Sequence, residues 1–533
     1  MKKLLCIIGF FLVFLFGVFL RFYNLDSIPN SLDWDEAALG YNAYAILLTG
    51  RDEYGYVMPA TFRSFGDYKA PLYIYLTVPS IKVFGLTQFA VRFPSAFFGS
   101  LTILAVFSFV WELFKKEKHA LLLAFFSMLF FAISPWSIQF SRGAFEANVS
   151  LFFVTTGGWL LVKGVNRNKK MILLLGIVSF LLSIYTYQTE KIFVPLLLLG
   201  FLIWQRKYAL QHKHFIALVI VFFLASNALW LFSGNATARG VSLTFTSQQT
   251  TLLQHSVQEL QQDKVNGDIF GQILENRRVV YAGVFLQNYL THFDPNWLFI
   301  TGDLARHHAP GMGDLYLVSL PFLLIGIFIF LEKYLKKAWI ILYWFLISPI
   351  PSALVIGSPH ALRTLVFLPV WQIFEAIGWV SIISLENFKR IFVFNLAGVL
   401  LFINFAYYCN MYFVHINTDD GPDWQYGYEQ AVQEAYQINK NNKTVFMDNS
   451  IEQGYIFYLF YNKIDPQWYQ AQGGSWLTTK KCFNIQHVYF GACGKAAKAI
   501  LITAQQQDQK TLTKLQTIFY HNGEPALYIY QSE

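Results

Sequence analysis

The sequence predicts an α-helical multi-span membrane protein of about eleven transmembrane helices. Interfacial helices occupy its first outer loop, and a small external α/β domain closes the C-terminus. Three observations carry this expectation. The 533-residue chain is 55% hydrophobic and 18% aromatic but only 14% charged, more apolar surface than a soluble fold can hide. Apolar runs of about 20 residues, the length that crosses a ~30 Å hydrocarbon core, recur along it. The lysines and arginines behind the net charge of +8 stand in short clusters between those runs. Such clusters orient membrane proteins by the positive-inside rule, so nucleic acid is set aside as a partner.

The N-terminal "MKKLLCIIGFFLVFLFGVFLRFYNL" begins like a secretory signal. Its apolar core exceeds a signal's usual ~7–15 residues and no small-residue cleavage site follows, so it is read as a retained first span. Further spans are expected at roughly 93–114, 119–136, 148–164, 171–187, 192–205, 215–232, 315–331, 338–356, 364–383 and 391–412. Segment 72–86 is different. As a helix it reaches only ~22 Å, and it contains Pro79 and Lys82. A lysine at mid-bilayer costs about 2.5–3.5 kcal/mol. With 72–86 lying on the membrane, the basic clusters at 115–118, 163–170, 205–214, 332–337 and 386–390 all fall on the side of Lys2 and Lys3. If it spanned, all of them would flip outside.

This topology divides the chain into a transmembrane domain, 1–412, with outer loops 22–92 and 233–314, and an external domain, 413–533. In the tail, strand-like "KTVFMD", "AILITA" and "ALYIYQ" alternate with helix-like "IEQGYIFYLFYN". Cys482 and Cys493 also lie there, where a disulfide is open to them if the tail is exported.

The polar motifs collect on the outer side. In "SLDWDEAALGYNAYAILLTG", Asp33, Asp35 and Glu36 precede an apolar-periodic run. Acids there cap a helix start and suit its macrodipole. They equally suit a catalytic acid cluster, because a carboxylate beside a hydroxyl takes or orients its proton. "DWD" also has the form of a divalent-cation motif. Asp67 and Tyr68 precede Lys69 in "DYKAPLYIY", where the lysine either snorkels to headgroups or grips a lipid phosphate. Arg92 opens the second span, with the same two readings. Arg142 and Glu146, at i and i+4, either pair with one another or face substrate. In the long loop, His307 and His308 stand near Asp303 and Asp314 as a divalent-metal candidate, and His360 and Arg363 lie in "GSPHALR". Nothing has the form of a Ser-His-Asp signature, a nucleotide-binding glycine loop or a zinc-type Cys/His spacing.

The order "DE…G…TG…P…DYKAPLYIYL…FG…AVRFPSAFFGSLT", followed by "SR…E", resembles the membrane glycosyltransferases of the C-type superfamily. The protein O-mannosyltransferase and lipid A aminoarabinose transferase families are the branches it is most similar to. The resemblance implies an enzyme that takes a sugar from a polyprenyl phosphate on the outer membrane face. It implies that Asp35 is the catalytic aspartate, with Glu36 beside it. Lys69, in a "KAPL" that stands for a "KPPL"-type motif, becomes the phosphate-binding lysine. Arg92 and Arg239 become further lipid-phosphate contacts, and Arg142 and Glu146 match an "SR…LD" element in which Glu replaces Asp. Two departures leave sugar and acceptor open: Ala38 stands where one branch has arginine, and "HPPLGK" does not occur.

The expected activity is therefore inverting transfer of a sugar from a polyprenyl-phosphate donor to a protein, lipid or glycan acceptor. Asp35 and Glu36 are the catalytic candidates. Lys69, Arg92 and Arg239 are the lipid-phosphate candidates. Asp67, Tyr68, Arg142, Glu146, His307, His360 and Arg363 are the substrate candidates. No cofactor is required, and a divalent metal is the minority expectation. The rivals are a metal-dependent oligosaccharyltransferase using Asp33 and Asp35, a transporter of lipid-linked sugars, and a silent relative that binds only carrier lipid. A bacterial cytoplasmic (inner) membrane, with the C-terminal domain outside, fits the lysine-rich inner loops.

Overall fold

The apolar runs fold as helices, several of which continue through an internal proline, as at Pro79 and Pro94. The computed structural model describes residues 2–232, 250–383, 389–441, 443–493, 499–507 and 512–532. The first elements are α1 (Lys2–Phe22), α2 (Trp34–Thr49), β1 (Phe62–Ser64), β2 (Asp67–Lys69), α3 (Leu72–Phe84) and α4 (Gln88–Phe114). They are followed by α5 (Ala120–Ile133), α6 (Pro135–Arg142) and α7 (Glu146–Arg167). Among the described residues, five helices are long and apolar enough to cross a membrane: Gln88–Phe114, Glu146–Arg167, Leu317–Ala353, Leu365–Ile383 and Ile391–Asp419. The bent pair α5–α6 makes up to six.

By length alone, then, fewer helices qualify than the eleven spans expected. The reasons are local. The pair α5–α6 bends by 53° at Ser134, which precedes Pro135 and is held extended by it. The expected spans 315–331 and 338–356 run as one helical segment, interrupted by a π-turn at Phe330–Tyr334 and by non-helical backbone at Ala338. The expected first span is the 21-residue helix α1 and the expected span 215–232 the 20-residue helix Lys213–Phe232, while the expected span 171–187 holds a shorter apolar helix, Lys170–Ile184. Segment 72–86 is a 13-residue helix around Pro79 that ends at Gly85, about 20 Å long and too short to cross.

The chain forms two compact units. The first comprises 1–17, 100–138 and 150–406. Within it Leu320–Ile329 packs on Leu368–Ile383 at two glycines. A Cβ on Gly326 would strike the backbone of Phe374, and one on Gly378 the backbone of Phe322. Small residues let helices approach this closely in an apolar environment. Glu375 lies in the middle of that second helix, buried, and accepts a hydrogen bond from Ser319.

The second unit comprises 18–99, 139–149 and 407–533. The tail supplies β3 (Val445–Met447), β4 (Cys482–Ile485), β5 (Val488–Gly491), β6 (Ile500–Thr503), β7 (Leu512–Phe519) and β8 (Pro525–Ser532). They form a mixed sheet in the order β4-β5-β3-β6-β8-β7, with β3 parallel to both β5 and β6. The three strand-like runs of the tail are β3, β6 and β8, and its helix-like run is Gly454–Tyr461. Cys482 and Cys493 are joined as a disulfide that ties the start of β4 to the residues after β5. Helix α2 packs on α3 and on Gly454–Tyr461, and a Cβ on Gly40 would strike Phe460 and Val91. Glu53, fully buried, accepts hydrogen bonds from Asn42 Nδ2 (2.9 Å) and Ser475 Oγ (2.5 Å), which fastens segment 18–99 to the tail.

Candidate functional site

The helix start at Asp33 orients the acids. Asp33 is the N-cap of α2: its Oδ1 accepts the Glu36 N–H (2.8 Å), and Glu36 Oε2 accepts the Asp33 N–H (3.2 Å). This reciprocal capping box satisfies two of the orphan donors of a helix terminus. Asp35 and Glu36 are neighbours about 100° apart on the helix, so they face different surroundings.

Glu36 points inward. It is 2% exposed and accepts from Arg92 Nε (3.0 Å), Arg92 Nη2 (2.9 Å) and the Ala144 N–H (2.7 Å), besides its capping bond. Arg92, with no exposure, gives its remaining donors to the carbonyls of Leu25 (3.2 Å), Pro29 (2.7 Å) and Ser31 (2.5 Å). All five N–H groups of the guanidinium are thereby engaged inside the protein. Its other face lies over the Trp424 ring at 5.7 Å. This is a saturated internal bracket, and none of its donors is left for a lipid phosphate.

Arg142 is likewise buried. It donates to the carbonyls of Leu20 (2.9 Å), Asn24 (3.3 Å) and Ile28 (2.9 Å) and stacks over Tyr412 and Phe413. The Arg142–Glu146 spacing does not make a helical pair, because the helix breaks between α6 and α7. Glu146 instead begins α7, where an acid suits the dipole, and turns to Lys69.

Asp35 points outward. Its side chain is 45% exposed, and Lys69 Nζ stands 3.0 Å from its Oδ1. The same ammonium lies 3.7 Å from Glu146 Oε1, and both Lys69 and Glu146 are only 12% exposed. A two-residue turn places the lysine. Strands β1 and β2 pair antiparallel, with Phe62 opposite Lys69 and Ser64 opposite Asp67. The turn residues Phe65 (φ 52) and Gly66 (φ 83) both adopt positive φ, the backbone of a type I′ hairpin. Asp67 Oδ1 accepts the Tyr68 N–H (2.6 Å), and Tyr68 is opposite Arg63.

The structure thus brings Asp35, Glu36, Asp67, Tyr68, Lys69, Arg92, Arg142 and Glu146 into one unit. His307, His360 and Arg363 belong to the other. There Asp303 Oδ2 meets His307 Nδ1 (2.7 Å), His360 Nδ1 (3.6 Å) and the Ala361 N–H (2.7 Å). The sequence pairs His307 with its neighbour His308; the structure replaces His308, which faces the Ala309 carbonyl, with the distant His360. Asp303, His307 and His360 offer ligand atoms within 4.8 Å of one another, a group able to hold a metal ion. Burial opposes charge on Asp303, but the hydrogen bond and charge of His307, His360 and the Ala361 amide bring its carboxyl down to about 2. Burial, then His307, holds His360 well below the usual imidazole range. Arg363 donates to the Ile356 carbonyl (2.6 Å). Arg239 lies outside the described residues.

Residues 68–230 match the family described as dolichyl-phosphate-mannose-protein mannosyltransferase. ArnT from Cupriavidus metallidurans, in the apo state, shares the fold at a TM-score of 0.54, with 12% identity over 98% of both chains. The same protein bound to undecaprenyl phosphate gives 0.53, again at 12% identity over 98% of both chains. The chain is similar to the C-type membrane glycosyltransferases. The archaeal oligosaccharyltransferase AglB from Archaeoglobus fulgidus, in complex with an inhibitory peptide and a dolichol-phosphate, gives a TM-score of 0.52 at 13% identity. That match covers 86% of this chain and 64% of AglB, so the chain spans less than two thirds of AglB's length. A comparison with curated protein sequences gave no match. At these identities the structural likeness is one of fold.

Sequence reading missed the partner of Glu146 and the burial of Arg92. It also missed a cavity of ≈ 530 Å³ lined by Trp34, Phe65 and residues of the tail. One signal pointed to it: Phe-Gly in "SFGD", between two short strand-like stretches, is a hairpin turn with an aromatic in a place usually given to asparagine.

Proposed function

We propose that the protein is an integral membrane glycosyltransferase that moves a sugar from a polyprenyl-phosphate carrier to an acceptor on the outer face, with inversion. The observation that carries this reading is the Lys69–Asp35 ion pair, in which a half-exposed carboxylate faces an ammonium shielded by a second acid. The acceptor oxygen attacks the anomeric carbon, and the bond from that carbon to the phosphate oxygen breaks. The electron pair leaves on the phosphate, which Lys69 neutralises, and the acceptor proton passes to Asp35. A single displacement inverts the carbon. Glu146 holds Lys69 in place as a positioning residue. Glu36, Arg92 and Arg142 brace the segment beneath and leave the chemistry to Asp35.

The proposed arrangement keeps 1–412 as the membrane part and 413–533 outside, in a bacterial cytoplasmic membrane. The Cys482–Cys493 disulfide supports an oxidising compartment for the tail. The family match and the undecaprenyl-phosphate and dolichol-phosphate complexes of the neighbouring folds support the donor class.

One observation favours a metal-dependent version, the Asp303–His307–His360 group. At the expected Asp33–Asp35 pair the geometry speaks differently, since Asp33 is committed to its cap and Asp35 already faces a cation. Transfer from undecaprenyl-phosphate-linked sugar, measured with and without chelator in variants of Asp35, tests the reading. Transfer that survives Asp35→Asn and fails with chelator would hand the reaction to the metal version.

A further inference from the structure

The cavity missed by sequence reading lies wholly within the second unit, and its position relative to the ion pair follows from chain connectivity. Two short elements line both places. The start of α2 gives Trp34 to the cavity and Asp35 to the pair. The β1–β2 hairpin gives Phe65, at its tip, to the cavity and Lys69, at its base, to the pair. The far wall comes from the tail, from Asp448 to Tyr455 and from the disulfide-linked strands with Phe483 and Phe490.

The lining has a definite chemistry. Phe65 and Tyr455 meet edge to face at 6.1 Å, Tyr455 and Phe483 at 5.9 Å, and Phe483 stacks on Phe490 at 5.5 Å. Beside this aromatic wall stand Asp448, Asn449, Glu452 and Gln453, with no lysine, arginine or histidine among the described lining residues. Phe65 is held at φ 52, a conformation that L side chains with a ring rarely adopt, which places its ring in the wall at a cost in backbone strain. Among these described residues a phosphate would find two carboxylates and no cation. A pyranose suits it: its C–H face lies against the electron-rich ring faces, and its hydroxyls donate to carboxylate and amide oxygens.

We infer that this cavity binds an uncharged sugar ring and presents it to Asp35. The inference rests on the proposed glycosyl transfer and names the chemistry of one of its substrates. The ring belongs either to a glycan acceptor or to the sugar carried by the donor.

Saturation-transfer NMR on the full chain in phosphatidylcholine nanodiscs, free of sugar detergents, tests it. The probes are methyl mannoside, methyl glucoside, methyl N-acetylglucosaminide and the anionic methyl glucuronide. At least one of the neutral glycosides is expected to bind, with glucuronide weakest, and Phe483→Ala is expected to weaken binding about tenfold. Glu452→Gln, an exposed isosteric change that leaves folding intact, is expected to weaken it several-fold. Absence of signal from every neutral glycoside, or signals equal in wild type and both variants, would overturn the assignment. Displacement of the bound glycoside by undecaprenyl-phosphomannose, but not by undecaprenyl phosphate, assigns the cavity to the donor sugar. Displacement by neither assigns it to the acceptor. Undecaprenyl-phosphate binding is measured on the same nanodiscs. If it persists while every glycoside fails, only the cavity assignment falls; if it is absent, the glycosyltransferase reading falls first.

Discussion

Two acid–cation pairs, one residue apart on α2, have opposite characters. Glu36 and Arg92 are both buried and fully saturated, with the carboxylate sharing four donors and the guanidinium using all five of its own. Asp35 and Lys69 meet through a single contact, with the acid almost half exposed. A buried pair whose partners are all supplied by the fold is a structural bracket. An open pair with a shielded cation is able to exchange partners with a phosphate. The neighbouring acids thus teach that residue type and sequence position do not assign a role here; the direction along the helix does.

The largest effect expected from this contrast is on turnover. Asp35→Asn keeps the side-chain shape and removes the proton acceptor, so transfer is expected to fall by about 10²–10⁴-fold. Binding of undecaprenyl phosphate, followed on the same preparation, is expected to hold. Near-normal turnover would reduce Asp35 to a structural partner of Lys69.

Next comes the bracket. Glu36→Gln leaves the buried Arg92 charge without its counter-ion, a loss of about 3–5 kcal/mol for broken buried pairs. Low yield and a lower melting temperature in detergent are the expected signs. A variant as stable as wild type would mean that the pair carries no structural load.

A third effect is pH-dependent. Burial raises the Glu53 carboxyl from 4.5 to about 7, against the hydrogen bonds from Ser475 and Asn42. Between those values the folded state binds the extra proton, so the stability it contributes is complete below 4.5 and is lost as pH rises to about 7. On the scale of 1.36 kcal/mol per pKa unit this is of the order of 3 kcal/mol. The melting temperature should fall from about pH 5 to about pH 8, and Glu53→Gln should flatten the slope. An unchanged slope in the variant would detach the pH response from Glu53.

The smallest effect is at the cation. Lys69→Ala is expected to weaken undecaprenyl-phosphate binding about tenfold, the strength of a charge-assisted bond, and to slow turnover at saturating donor. Lys82, exposed near the end of α3, is the control, and Lys82→Ala is expected to change neither. Equal small losses in both would reduce Lys69 to a headgroup contact.

What the sequence made legible follows the range of the interactions. The helix after Asp33, the short helix around Pro79 and three strands of the tail rest on local caps, breakers and alternation, which are written in contiguous residues. Resemblance singles out Asp35 and Lys69 separately, but not their contact, since the two stand in different elements. Glu146 facing Lys69, Arg92 bridging to Glu36, and His360 joining His307 link residues far apart in the chain, where no periodicity reports the pairing. The cavity needed the tail folded against the first segment, and its residues, read separately, look like ordinary turn and core positions. The role of Arg92 was misjudged because a charged residue at the start of an apolar run normally snorkels, whereas here the loop before α2 wraps it in carbonyls.

The most direct measurement compares the two acids on equal terms: transfer rate per folded molecule for Asp35→Asn and Glu36→Gln, with the folded fraction fixed by monodispersity and undecaprenyl-phosphate binding. The expected result is a rate within a few-fold of wild type for folded Glu36→Gln and a loss of at least about 100-fold for Asp35→Asn. The reverse order, or equal losses in the two, would contradict the division between bracket and reaction centre.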